Sequence, residues 1–314
     1  MNRDRLTRWL YPTLGFSLLV FSLYILNREL GRYNLRDILD SLSLIGDRQL
    51  FLAAGFTIFD YLTISTYDLI AFLQFNYYLK IKRILFTTFL TYAISNTTGF
   101  TLLIGGGIRY RFYTLWGVPP KTIAKITALG NLTFWLGLFT LCGVTFIVKP
   151  LQLPKTLNLN ILNLRYLGII ALILVAIYLY FSWSRKSIRI WKKVFLFPQI
   201  ATSLSQIVIF SFDWALSAAV LYCLLPDYPN KSYFNFFGLY LIAMALSILS
   251  SIPGGIGVFE TIIVFLLPKS LTVPAVLSSL VIYRAVRFLL PLGIALILIG
   301  MFEIKRKLKN NQER

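Results

Sequence analysis

Apolar runs long enough to cross a lipid bilayer as helices recur along the chain. They cover residues 10–26, 50–75, 126–148, 166–183, 200–225 and 273–302. A hydrocarbon core of roughly 30 Å needs about 20 apolar residues in a helix that rises about 1.5 Å per residue. Only helices and closed barrels satisfy their backbone hydrogen bonds inside lipid, so these runs predict an all-α fold. We expect a polytopic integral membrane protein with about seven to nine transmembrane helices.

The amino-acid composition excludes several classes of protein. Of the 314 residues, 57% are hydrophobic and 14% are charged, which is too apolar for a water-soluble domain. The chain has no histidine, and Cys142 and Cys223 stand singly in apolar runs. Cys/His zinc sites, haem ligation by histidine and histidine acid–base catalysis are therefore excluded. We expect no cofactor and no metal, and the absence of a visible nucleophile–base pair favours a transporter over an enzyme.

Positive charge is concentrated in loops that would share one side of the membrane. The net charge is +19, and twenty of the 31 lysines and arginines lie in five such segments, against nine in the loops between them. The five segments are the N-terminus, 80–83, 109–125, 185–193 and the C-terminus from Lys305. Cytoplasmic loops carry the excess of Lys and Arg, so the chain is predicted to lie in a plasma membrane with both termini in the cytoplasm. The charge lies between apolar spans and not on one soluble face, so no nucleic-acid partner is expected.

The predicted organisation is a single membrane domain over residues 1–314. Its two halves would be 1–183 and 199–304, joined by a basic cytoplasmic linker at 184–198. No residue-level identity between the halves is visible, so an inverted repeat is a hypothesis drawn from their shared pattern of interrupted hairpins.

The predicted sidedness can be tested by cysteine labelling. Cysteines placed at Ser187 and Asn310, in a chain whose Cys142 and Cys223 are changed to serine, should not react with an impermeant maleimide in intact cells. A cysteine at Lys269, on the predicted outer side, should react under the same conditions. Labelling of the Ser187 position in intact cells would reverse the predicted topology.

One stretch, Ser250–Glu260, interrupts an apolar region with a proline, three glycines and a carboxylate. Proline removes a backbone donor and glycine adds backbone freedom, so a continuous helix here is unfavourable. We predict two half-helices that meet at a loop. Glu260 would lie at the start of the second half-helix, where the helix dipole stabilises a carboxylate. The candidate hinge residues are Pro253, Gly254, Gly255 and Gly257. An ordinary tight turn with a buried cap is the alternative.

A second interrupted segment begins at Ile84. It is expected to break at 95–99 and again at 105–107, and to return to the same side as a re-entrant hairpin. Its candidate hinge residues are Gly99, Gly106 and Gly107. The following Arg109 and Arg111 are predicted to meet an anionic head group, since guanidinium can bond phosphate with two donors. Plain topology anchors are the alternative for these two arginines.

Several charged residues lie inside the apolar spans, where an ionised side chain costs a few kcal/mol. They are Asp60, Asp68, Asp213, Glu260, Arg284 and Arg287. We expect these charges to neutralise one another partly in a shared cavity, with Glu260, Asp213 or Asp60 as the partner of Arg284. Structural ion pairs between helices are the alternative, and Asp68 can also reach the cytoplasmic interface.

Four stretches, taken together in this order and spacing, resemble a known family. They are Asn96–Gly99, Gly106–Tyr113, Pro253–Glu260 and Tyr283–Arg287. The chain resembles the membrane region of bacterial lysylphosphatidylglycerol synthetase/flippase proteins, the multiple-peptide-resistance proteins, over nearly its whole length. The resemblance implies a flippase-like module that moves aminoacylated phosphatidylglycerol or another polar-headgroup lipid. We expect a stand-alone form without the synthetase domain.

Three functional hypotheses follow. The first is a phospholipid translocator whose substrate-binding residues are Asp60, Arg109, Arg111, Asp213, Glu260, Arg284 and Arg287. The second is a secondary transporter of a small anionic solute that uses the same arginines. The third is a non-transporting membrane partner of a lipid-modifying enzyme. A lipid-modifying enzyme and a second copy of the chain are the protein partners left open.

Overall fold

The computed structural model describes residues 35–43, 45–98, 101–148, 161–184, 187–190, 193–250 and 252–312. The predicted first span at 10–26 and the candidate hinge Gly99 lie outside the described residues. Helices dominate the described residues, which confirms the predicted all-α class. Within the predicted basic linker, two short strands, β1 (Ser187–Ile190) and β2 (Lys193–Leu196), pair as an antiparallel hairpin.

The described helices before this hairpin are α1 (Leu35–Ser43), α2 (Asp47–Ser65), α3 (Tyr67–Gln74), α4 (Ile81–Thr98), α5 (Thr101–Leu115), α6 (Pro120–Val148) and α7 (Ile161–Ser184). Those after it are α8 (Ile200–Leu224), α9 (Tyr233–Leu249), α10 (Val258–Leu266), α11 (Val273–Arg284) and α12 (Leu290–Gln312). A 3₁₀ turn, Pro253–Gly255, lies between α9 and α10, and a π-helical turn, Ala285–Leu289, joins α11 to α12.

Five helical segments of the described chain are long and apolar enough to cross a membrane. They are Asp47–Gln74, Pro120–Val148, Arg165–Ser184, Ile200–Leu224 and Val273–Leu308. The protein is therefore a polytopic membrane protein, as predicted. The predicted total of seven to nine also counts the span at 10–26 and the shorter helices of the two interrupted segments.

The span formed by α2 and α3 bends at Thr66, where the φ and ψ angles are −81° and −13°. The hydroxyls of Thr63, Ser65 and Thr66 all donate to backbone carbonyls three or four residues earlier, at 2.7–2.8 Å. Such back-bonding competes with the helical ladder and often bends helices. The residues after the bend, Tyr67 and Asp68, are both buried and reach different partners.

Helix α8 lies at the centre of the described bundle. Half of its span, 50%, is buried, compared with 17% of the α7 span. It packs along α2 and α6, and its Phe210 ring occupies the space that a side chain at Gly137 of α6 would need. The close crossing of α6 and α8 therefore requires a glycine at this position.

Helices α4 and α5 form an antiparallel hairpin. Phe86 near the start of α4 contacts Trp116 just after α5, with ring centroids 6.3 Å apart. The predicted second break at 105–107 is wrong, because α5 continues through Gly105, Gly106 and Gly107. A Cβ atom at Gly105 would lie 3.1 Å from the Thr91 side chain, so close helix packing explains this glycine. Tertiary packing here outweighs the helix propensity cost of about 1 kcal/mol per glycine.

The predicted break in the second half is present. Helix α9 ends at Leu249, and Gly254, Gly255 and Gly257 all have positive φ angles, 63°, 60° and 84°. Helix α10 begins at Val258, so two half-helices meet at a loop, and residues 252–257 lie between them. Glu260 lies in the first turn of α10, as predicted, and its Oε2 atom accepts a 2.8 Å hydrogen bond from the Gly257 amide. It therefore closes the N-terminus of the half-helix.

A substitution at Gly255 should destabilise the loop. Its backbone is left-handed, and a Cβ atom would lie 2.9 Å from the Ser247 Cβ atom. Gly255→Ala is therefore expected to cost about 1–2 kcal/mol for the left-handed backbone alone and to lower the melting temperature of the purified protein. Gly293→Ala is the matched control, because nothing lies within 4 Å of the added Cβ atom. Equal melting temperatures for the two variants would contradict the strained loop.

Candidate functional site

Three buried or partly buried arginines each pair with a carboxylate from another part of the chain. Arg284 pairs with Glu260, Arg287 with Asp60, and Arg109 with Asp68. Ionised groups placed deep in an apolar protein need such partners. The deep charges therefore pair with one another, as predicted. They do so in three separate places and do not share one cavity.

The Arg284–Glu260 pair holds the broken stretch in the second half. Arg284 Nε donates to Glu260 Oε1, and Nη1 donates to the Gly254 carbonyl oxygen at 3.1 Å. The side chains are 23% and 14% exposed, which makes Arg284 the most accessible of the three paired arginines. Of the three partners predicted for Arg284, the structure selects Glu260.

The same loop contacts the end of α4. A Cβ atom at Gly254 would lie 3.0 Å from the Thr97 carbonyl oxygen and 3.8 Å from Arg284 Nη1. Only glycine fits this close approach together with a φ angle of 63°. The two interrupted segments predicted from the sequence therefore meet, and the Arg284–Glu260 pair lies beside their contact.

A second cluster surrounds Arg287 on the π-helical turn. Arg287 Nε lies 2.7 Å from Asp60 Oδ2 and donates to Ser217 Oγ at 3.0 Å. Arg287 Nη2 lies 4.0 Å from Asp213 Oδ1. Asp213 Oδ2 also accepts a 2.7 Å hydrogen bond from the Tyr67 hydroxyl. We call Asp60, Arg287 and Asp213 the central triad, and all three are buried.

Tyrosines surround the central triad and lie outside the set predicted from the sequence. Tyr240 donates to Ser217 at 3.0 Å and shares a 2.9 Å hydrogen bond with Tyr283. The Tyr61 hydroxyl donates to the Arg287 carbonyl oxygen at 3.3 Å, and the guanidinium carbon lies 5.2 Å from the centre of the Tyr61 ring. A spacing of four residues from Tyr283 to Arg287 is the sequence signal that places these two on one helix face.

Arg109 lies in the interior and not at the membrane surface, where the sequence placed it. It is 2% exposed, and its Nε and Nη2 atoms bond both Asp68 oxygens at 2.8–3.1 Å. Tyr113 donates to Asp68 at 2.7 Å. Gly105 and Gly130 lie beside the guanidinium, and a Cβ atom at either would be in ordinary van der Waals contact with it, 3.5 and 3.8 Å from its nitrogens. Asp68 is likewise buried with this partner and does not reach the interface.

Arg111 stands apart from the other arginines. It is exposed and pairs with Glu303 of α12 at 2.6 Å. A cavity lined by Arg109, Arg111, Arg284 and Arg287 together was the sequence expectation, and the structure does not form it. Helix periodicity explains this, because Arg109 and Arg111 are two residues apart and cannot face the same way.

The chemistry available at these clusters is ionic binding. The described residues include no group of three or more Cys, Asp or Glu side chains that could hold a metal ion. Arg284 offers a guanidinium fork to a phosphate or carboxylate, and Glu260 offers an acceptor for a cation. Both contact the loop, Arg284 through the Gly254 carbonyl oxygen and Glu260 through the Gly257 amide.

Multiple apolar spans, a glycine loop inside an apolar helix pair and paired internal charges define a multi-pass membrane protein with a polar site in its interior. An uncharacterised protein of Synechocystis is 38% identical over 306 residues, which cover 96% of this chain and 93% of that protein. The inner membrane protein YbhN of Escherichia coli is 32% identical over 258 residues, covering 81% and 80% of the two chains. No protein-family model matches the chain.

A more distant similarity extends to an enzyme. The phosphatidylglycerol lysyltransferase of Staphylococcus aureus is 26% identical over 292 residues, which are 91% of this chain but 33% of the enzyme. The chain belongs to the family of bacterial membrane proteins that includes YbhN and the membrane part of the phosphatidylglycerol lysyltransferases. It is a multi-pass inner membrane protein.

Proposed function

We propose that the protein moves a phospholipid between the two leaflets of the bacterial plasma membrane. The observation that carries the proposal is the Arg284–Glu260 pair, which is more exposed than the buried pairs of Arg109 and Arg287 and lies beside a glycine loop between two apolar helices. Irregular backbone in a membrane survives where protein covers it or where it lines a polar cavity. A polar site of this kind suits a lipid head group, which must leave the water on one side of the membrane to reach the other leaflet.

The head group would exchange partners with the ion pair. A phosphate competes with Glu260 for Arg284, because guanidinium bonds phosphate and carboxylate with the same two-donor geometry. Glu260 retains the Gly257 amide as a donor when Arg284 leaves it, and can accept from an amino group on the lipid. A head group with both a phosphate and an ammonium group, as in aminoacylated phosphatidylglycerol, would use both residues. The name of the lysyltransferase relative supports this substrate class.

A groove for acyl chains lies on the helix that leads into the loop. A cavity of about 280 Å³ lies between α6, α7 and α9, and the described residues that line it are apolar apart from Cys142. Ala245, Ile248 and Leu249 contribute its α9 wall and directly precede the loop. An apolar groove beside a polar site suits a molecule with a polar head and hydrocarbon chains. This favours a lipid over a small anionic solute.

The remaining predicted site residues take different places in the proposal. Arg284 and Glu260 contact the head group, while Asp60, Asp213 and Arg287 form the buried cluster one helical turn away. The Arg109–Asp68 pair supports the α4–α5 hairpin, and Arg111 lies at its exposed end. Hinge roles for the glycines of both interrupted segments, the two-half organisation and the cytoplasmic termini stay predictions.

The proposal can be tested with the purified protein in phosphatidylcholine vesicles that carry phosphatidylglycerol labelled with a fluorophore on one acyl chain. Dithionite added outside should bleach label from both leaflets when the protein is present and from the outer leaflet alone in protein-free vesicles. A protected inner-leaflet fraction equal to that of protein-free vesicles would contradict translocation. Uptake of glycerol 3-phosphate by the same vesicles, without lipid movement, would favour a solute transporter.

A further inference from the structure

The central triad contains one more negative group than positive groups. Asp60 and Asp213 face the single guanidinium of Arg287, and the three residues are 0%, 6% and 5% exposed. With both carboxylates ionised, the cluster carries a net charge of minus one in the interior. Burial of an uncompensated charge is strongly unfavourable, so the cluster needs one further positive charge.

Several polar atoms at this cluster are buried and have no hydrogen-bond partner among the described residues. They are both carboxylate oxygens of Asp60, Asp213 Oδ1 and Arg287 Nη1, although Asp60 Oδ2 lies 2.7 Å from Arg287 Nε in the ion pair. Asp60 and Asp213 approach the same guanidinium, at 2.7 Å from Arg287 Nε and 4.0 Å from Nη2. Ionised carboxylates only accept hydrogen bonds, whereas one proton on the pair adds a donor and leaves a single negative charge opposite Arg287.

Other groups around the triad do not supply the missing charge. The titratable side chains that face it are tyrosines from five helices and carry no charge at neutral pH. They are Tyr61 of α2, Tyr67 of α3, Tyr92 of α4, Tyr240 of α9 and Tyr283 of α11. Arg109, beyond Tyr92, is already bound to Asp68. A metal cation would be repelled by the adjacent Arg287, while a proton needs no additional volume.

We propose that Asp60 and Asp213 share one proton, which is taken up and released in each cycle and couples lipid movement to proton movement. The proposal rests on the proposed function. The only bond that changes is one carboxyl O–H bond, formed with a proton from water on one side of the membrane and broken to water on the other. The central triad is then the energy-coupling site, separate from the head-group site.

The last long helix connects the two sites. Arg284 and Arg287 are three residues apart, on either side of the start of the π-helical turn Ala285–Leu289. A π-helical turn is a wide, rare turn that is frequent at functional sites. A shift of this turn when Arg284 exchanges Glu260 for a phosphate would also move Arg287 relative to Asp60 and Asp213.

The coupling predicts a definite leaflet distribution. The experiment uses vesicles whose membrane potential is clamped at zero by valinomycin and potassium. If one proton moves with each lipid, a gradient of one pH unit should change the ratio of labelled phosphatidylglycerol between the two leaflets about tenfold. Asp213→Asn should lose this shift, because the shared proton has no site. Asp227→Asn is the matched control, since Asp227 is fully exposed and pairs with Lys231 outside the triad, and it should keep the shift.

The possible results separate this inference from the proposed function. If lipid equilibrates between the leaflets but its distribution does not respond to the pH gradient, proton coupling is overturned and the proposed translocation is retained. No lipid movement under any gradient would overturn both. If a tenfold sodium gradient shifts the leaflet ratio and the pH gradient does not, the coupling ion is a metal cation and the proton proposal is overturned.

Tyr67→Phe provides a second variant that keeps both carboxylates, in case Asp213→Asn does not fold. It removes the 2.7 Å hydrogen bond onto Asp213 and so disfavours the ionised carboxylate. The pH midpoint of gradient-driven transport should rise by about one to two units, the equivalent of one hydrogen bond to a charged group. An unchanged midpoint would overturn the assignment of the shared proton to the Asp60–Asp213 pair.

Discussion

Arg284→Gln is expected to slow lipid translocation roughly 10- to 100-fold, the equivalent of one hydrogen bond to a charged group. Glutamine can donate a hydrogen bond but has no charge and no two-donor fork for a phosphate. The variant should still fold, because Glu260 is partly exposed and keeps the Gly257 amide as a donor. The measurement is the rate of bleaching of inner-leaflet labelled phosphatidylglycerol in vesicles.

Two further variants decide how Arg284 acts. Arg284→Lys should recover part of the rate, because lysine keeps the charge but not the planar fork. Lys269→Gln, which removes an exposed charge outside the site, should have the wild-type rate. If Arg284→Gln gives a low yield of folded protein, and adding Glu260→Gln restores that yield, the pair has a structural role. Full activity of Arg284→Gln would remove Arg284 from the head-group site.

Arg109→Gln is expected to destabilise the protein by about 3–5 kcal/mol, the usual cost of breaking a buried ion pair. The substitution leaves Asp68, which is 1% exposed, with the Tyr113 hydroxyl as its remaining side-chain donor. Asp68→Asn in the same chain should recover much of the loss, because it removes the unpaired charge. The measurement is thermal unfolding of the detergent-purified variants.

The matched control for this loss is two residues away. Arg111 pairs with Glu303, but these side chains are 56% and 30% exposed. Exposed pairs contribute about 0–1 kcal/mol, so Arg111→Gln should unfold close to the wild type. Equal destabilisation by the Arg109 and Arg111 substitutions would contradict the different burial of the two arginines.

The spans and the loop at 252–257 could be predicted from the sequence because both depend on local properties. Length and hydrophobicity define a span, and a proline with three glycines is enough to interrupt a helix whatever its surroundings. The position of Glu260 in the first turn of α10 followed from the same break. A helix break was also predicted at Gly105–Gly107, but the helix continues there because packing against neighbouring helices determines the conformation. Gly105 packs against Thr91, and the helix continues.

The partners of the buried charges depend on contacts between distant parts of the chain. Asp68 and Arg109 are 41 residues apart, and Tyr67 and Asp213 are 146 residues apart. No periodicity in one sequence specifies which helix faces meet over such separations. The sequence could therefore indicate that Arg284 needs an anionic partner and restrict the choice to three, but the fold was needed to select Glu260. The tyrosines that reach the Arg287 cluster from distant helices, such as Tyr61 and Tyr240, were unpredicted for the same reason.

The central claim is that a lipid head group binds at the Arg284–Glu260 pair, and photocrosslinking tests it most directly. Phosphatidylglycerol with a diazirine next to its head group, irradiated with the protein in vesicles, should label peptides that contain 252–260 or Arg284. Unlabelled phosphatidylglycerol should compete, and Arg284→Gln should remove the label. Crosslinks confined to the lipid-facing surface of α7, unaffected by competitor and by Arg284→Gln, would contradict the claim.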